Sequence, residues 1–223
     1  MVVTTRLENQ RHASVIRPSG STFLWLITAA FVPAAAILLA LLQSGLNHRE
    51  VFNDPSDTLD FNPFMGVIST LGLFGWAAAA GVALLTHSVI RDRVTGPLRW
   101  FFLASGVFTL VMLTDDAFLL HEEVLPNGLG IRERYIKLGY LVVAALYGLS
   151  FFRVLLRHNV VLVAAAAGCF VGSFVFDNPA VLKALGFWET DFILYVVEDG
   201  LKFFGISFWL AYLTKAASDT LRG

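Results

Sequence analysis

The chain has 223 residues, of which 57% are hydrophobic and only 15% charged, with a mean hydropathy of +0.69. An ordinary soluble domain carries about a quarter charged residues, so the composition excludes that class and points to a membrane protein. A net charge of −1 offers nothing to nucleic acid, and a lone cysteine, Cys169, excludes both an internal disulfide and a four-thiolate zinc site.

Residues 1–21 carry Arg6, Arg11 and Arg17 and read as a cytoplasmic tail. The apolar run that follows is too long for a cleaved signal and suits a retained spanning helix. Six apolar segments are expected to cross a bilayer, near residues 22–44, 63–90, 98–121, 135–156, 159–178 and 191–214. The fold class is therefore an all-α polytopic membrane protein, a six-helix bundle over residues 22–214 with a short tail at 215–223. Small-residue patches, Ala77 to Gly81, Ala164 to Gly168, and Gly72 with Gly75, permit close helix contact.

Basic residues set the orientation. Ten lie on the side of both termini, including Arg91, Arg93, Arg99, Arg153, Arg157 and Lys215, against five on the other, so both termini are expected in the cytoplasm. Fourteen of the seventeen acids lie outside or in the outer parts of helices. The loop 46–62, with His48, Asp54, Asp57 and Asp60, is acidic and turn-rich. These features predict an inner-membrane protein with an outward-facing acidic mouth.

The third segment ends in Leu113-Thr114-Asp115-Asp116-Ala117-Phe118-Leu119-Leu120-His121-Glu122-Glu123. Ionisable groups in a membrane segment are costly and mark functional interiors. Continued as one helix, the stretch places Asp115 over Glu122 and Asp116 over Glu123, with His121 turned away from them. The sixth segment aligns Asp191, Tyr195, Glu198 and Lys202 on one face beside Asp199, and Glu198–Lys202 has the spacing of a helical ion pair. Cys169, Ser173 and Asp177 share a face of the fifth, and Lys137, Tyr140 and Tyr147 a related face of the fourth.

Asp115 and Glu198 would sit roughly 7–12 Å below the outer surface, at one level. So many carboxylates cannot all stay ionised in a poor dielectric without protons or a cation. A divalent metal ion held by Asp115, Asp116, His121, Glu122, Asp177, Glu198 and Asp199 is the economical expectation; Zn, Mn, Fe or Ca would fit such a set. Glu122 and Glu198 are the candidate catalytic bases, and Lys137, Tyr195 and Lys202 the supporting groups. Three functions compete: a metal-dependent membrane enzyme acting on a lipid or peptide, a cation or proton transporter or channel, and a non-catalytic sensor or assembly subunit with structural salt bridges. The expected partners are the bilayer, a lipid or small molecule, and further copies of the chain.

Glu198-Asp199-Gly200-Leu201-Lys202 resembles the Glu-Glu-x-x-Lys pattern of PrsW-like membrane proteases, and Phe118-Leu119-Leu120-His121-Glu122 resembles their Phe-x-x-x-Glu. The order is reversed here, Asp199 replaces a Glu, and the family's third, His-containing motif has no counterpart. The resemblance covers ten residues, and no activity is carried over from it.

Overall fold

The computed structural model describes residues 64–177 and 196–222, with isolated positions at 62, 183, 184 and 186 and within 32–43. The chain divides into two compact units, 1–52 and 53–223. In the first, Val32, Ala35, Ala36, Leu39, Ala40 and Gln43 are helical; the rest of the expected first span lies outside the described residues. So do the loop 46–61, Trp188, Asp191 and Tyr195.

Among the described residues the second unit is all-helical. It comprises α1 (Val67–Ile90), α2 (Pro97–Phe118), a π-helical turn (Leu120–Val124), α3 (Leu125–Leu129), α4 (Glu133–His158), α5 (Val160–Phe176) and α6 (Glu198–Arg222). Helices α1, α2 and α4 are long and apolar enough to cross a membrane, while α5 is apolar but shorter at 17 residues. Helix α6 continues to Arg222, beyond the end at 214 read from hydropathy.

Local chemistry sets the boundaries. Pro97 opens α2 after Gly96, whose φ of 89° only glycine adopts easily. Asn159 alone separates α4 from α5; it is extended, and its Oδ1 accepts the Leu162 N–H at 3.0 Å as an N-cap. The turn between α4 and α5 is thus a single extended residue.

Helix α1 packs on α2, and α6 packs on both α1 and α5. Small residues make this possible. Ala79, Ala83 and Ala216 are fully buried, and a Cβ on Gly75 would lie 2.7 Å from Ile206 Cγ2. Phe101, Phe102, Tyr212 and Leu213 fill the centre.

Helix α4 is different: Leu155 is its one buried residue. Leu138, Leu146, Leu149 and Phe152 are exposed, as expected of a face meeting lipid. It is held to the bundle by polar struts spaced three and seven residues apart on the inner side. Lys137 binds Asp177, Tyr140 donates to Asp115 at 2.8 Å, and Tyr147 bonds Ser105 at 2.6 Å. At the far end the Leu155 carbonyl accepts from Tyr212 Oη at 3.1 Å.

Candidate functional site: a chamber between the helices

Between α4 and the packed helices lies a cavity of about 650 Å³. This is the size of a pocket for a small organic ligand. Its rim carries Asp115, Asp116, His121, Glu122, Lys137, Asp177, Glu198 and Lys202. Its depth is apolar, lined by Met112, Leu141, Val163, Ala166, Phe170 and Val171 among others. The floor is aromatic. Tyr147 stacks on Phe108 at 5.3 Å and meets Trp209 edge-on at 6.2 Å, and Trp209 Nε1 donates to Thr109 Oγ1 at 3.0 Å.

The rim is built around a helix break. Helix α2 ends at Phe118, and Leu119 takes the left-handed conformation with φ 49°. A non-glycine residue there costs about 1–3 kcal/mol, and the surrounding contacts must compensate. The reversal redirects the next residues. The His121 backbone N–H donates to Asp115 Oδ1 at 3.0 Å, and His121 Nδ1 lies 2.6 Å from Asp115 Oδ2. Tyr140 Oη also donates to Asp115 Oδ1. On the other side of the ring, Nε2 lies 3.3 Å from Glu122 Oε1.

The expectation that His121 points away from the carboxylates is therefore corrected. A helical wheel assumes one continuous helix, and Leu119 breaks it. The same break corrects the alignment of Glu122 and Glu123 over Asp115 and Asp116. Glu123 is exposed and accepts from Asn127 Nδ2 at 2.7 Å, while Glu122 stays on the rim.

Asp115, Asp116, Glu122, Asp177 and Glu198 do come to one end of the bundle, from α2, the π-turn, α5 and α6. Asp199 sits beside them and faces a small cleft with Asp116 and Lys202. The counter-charges are the chain's own. Lys202 reaches across to Asp116, whose side chain is 8% exposed. This corrects the Glu198–Lys202 pair that the spacing allowed: the more deeply desolvated carboxylate gains more from an ammonium. Lys137 is held between Glu133, at 2.6 Å, and Asp177. Glu198 and Asp199 make no ion pair among the described residues. No group of three or more His, Cys, Asp or Glu among the described residues is arranged to hold a metal ion.

The Asp115–His121 pair has the layout of an oriented acid–base. A carboxylate on Nδ1 fixes the tautomer and leaves Nε2 to exchange a proton. Burial favours the neutral ring, but the hydrogen bond and charge of Asp115, aided by Glu122, outweigh it. The His121 pKa is raised above its ordinary value even with Lys137 opposing.

One residue of the chamber wall carries a buried donor. Trp76 lines the wall, stacked on Phe170 at 5.4 Å, and is 5% exposed. Its buried Nε1 has no hydrogen-bond partner among the described residues. A buried unmet donor costs about 1–3 kcal/mol.

The sequence model of the family described as "Domain of unknown function (DUF8692)" matches residues 23–216, and the chain belongs to that family. No curated protein and no solved structure matches it.

Proposed function

We propose that this protein binds an amphiphile in a membrane-embedded chamber and presents the polar head to the Asp115–His121–Glu122 unit, where a proton can be exchanged. The observation that carries this reading is the cavity, ionic at one end and apolar and aromatic at the other. A lipid has the same division. In this reading Lys137 and Lys202 hold the rim carboxylates in place, and His121, with Glu122 at its free nitrogen, is the acid–base group for chemistry on the head.

The topology belongs to the same proposal. Six spans with both termini in the cytoplasm put Arg91, Arg93, Arg153 and Arg157 on the inner side and the chamber mouth on the outer side. A cytoplasmic membrane and an outward-facing site follow from that distribution.

The test is lipid analysis of purified protein. Wild type is expected to retain close to one single-tailed amphiphile per chain. Ala144→Trp, which fills the chamber from a partly exposed wall position, is expected to lose it while remaining folded. Equal lipid in both proteins would defeat the reading.

A second reading, a divalent cation at the rim, is favoured by Glu198 and Asp199, which lack ion-pair partners among the described residues. Metal quantification on wild type beside Glu198→Gln and Asp115→Asn tests it. Stoichiometric metal lost in the variants supports a metal-dependent membrane enzyme, and metal-free wild type removes it.

A further inference from the structure

We infer that the chamber's ligand is a single-tailed amphiphile with a protonated amine head. This rests on the amphiphile reading above and narrows it to a chemical class.

The charge of the rim chooses the head. Five carboxylates face the chamber against two ammonium groups. Both ammonium groups are already engaged, Lys202 by Asp116 and Lys137 by Glu133 and Asp177. A carboxylate or phosphate head would have to pull a lysine from its partner and face the remaining acids. An amine meets Glu198 and Glu122 directly, and complementarity of this kind decides between partners.

The depth chooses the tail. Along α4 the lining runs from Lys137 to Leu155, 18 residues and roughly 27 Å at 1.5 Å per residue. One leaflet of a bilayer offers about 15 Å of hydrocarbon, half of a core about 30 Å thick. The chamber is deep enough for a long extended chain, and its 650 Å³ suits a ligand of small-molecule size.

The experiment compares octadecylamine, octadecanol and stearic acid on delipidated full-length protein in nanodiscs, with binding read by native mass spectrometry. The expected order is amine, then alcohol, then acid, with at least a tenfold preference for amine over acid that Glu198→Gln reduces several-fold. Stearic acid binding as well as the amine would overturn this inference and leave the amphiphile reading intact. Saturable binding of none of the three would overturn both. Ala144→Trp should abolish binding of all three; its failure to do so places them outside the chamber and also overturns both.

Discussion

The seam that α1 and α2 form with α6, and the chamber wall formed by α4, pack in opposite ways although α1, α2 and α4 are all apolar enough to cross a membrane. In the seam, glycine and alanine bring helices so close that a single added methyl group collides. A Cβ on Gly106 would lie 2.5 Å from Leu84 Cδ2, and one on Gly75 2.7 Å from Ile206 Cγ2. Along α4, Gly139 and Gly148 have nothing within 4 Å of the same position, and polar struts hold the helix at a distance. Close packing makes a scaffold, and a strutted helix makes room. The difference teaches that apolar content alone says a helix can cross a membrane, while its small residues and inward polar groups say whether it is packed tight or held open.

The most damaging change expected is inside the seam, at the ion pair that links α6 to α2. Lys202→Met leaves Asp116 buried without a partner, and such losses cost about 3–5 kcal/mol. The part exposure of Lys202 places the effect near the lower end. Thermal or denaturant unfolding in detergent measures it, and the double variant with Asp116→Asn should recover most of the loss. Recovery of none would mean that Lys202 acts elsewhere.

Next in size is the seam's close packing. Gly75→Val should cost about 1–3 kcal/mol from overpacking against Ile206. On the chamber helix the sign should reverse. Gly148→Ala meets no neighbour and gains helix propensity, stabilising by up to about 1 kcal/mol. Equal effects at the two sites would erase the distinction between seam and wall.

The smallest expected effect is a pH dependence at the rim. His121 binds its proton more tightly when folded, so the unfolded chain holds fewer protons in that range. The contribution is fully present below the unfolded pKa, near 6.5, and is lost as pH rises through the higher folded value. Wild type and His121→Asn should therefore differ most in melting temperature below about pH 6 and converge in alkali. A difference that grows with pH would contradict the Asp115–His121 contact.

Much of the fold was legible. The expected spans at 63–90, 98–121, 135–156 and 159–178 fall on α1, α2, α4 and α5 within a few residues, because unbroken apolar runs leave a helix few alternatives in lipid. The gathering of Asp115, Asp177 and Glu198 at one end was legible too, because alternating helix directions bring those positions to a common level. The break at Leu119 was not, since leucine carries no signal for a left-handed turn, and with it went the placement of His121. The partner of Lys202 was equally hidden: a spacing of four shows that Glu198 is within reach and says nothing of a buried Asp116 on another helix. The chamber left no trace in any single segment, because it arises from the distance between helices. Only the strut spacing of Lys137, Tyr140 and Tyr147 hinted at it.

The most direct test is a density map of the protein in a lipid nanodisc. The account predicts continuous elongated density running from the rim at Glu198 and His121 past Trp76 toward Trp209, with α4 standing off from α5 and α6. A chamber closed by α4 settling onto its neighbours, or filled by the protein's own side chains, would contradict it.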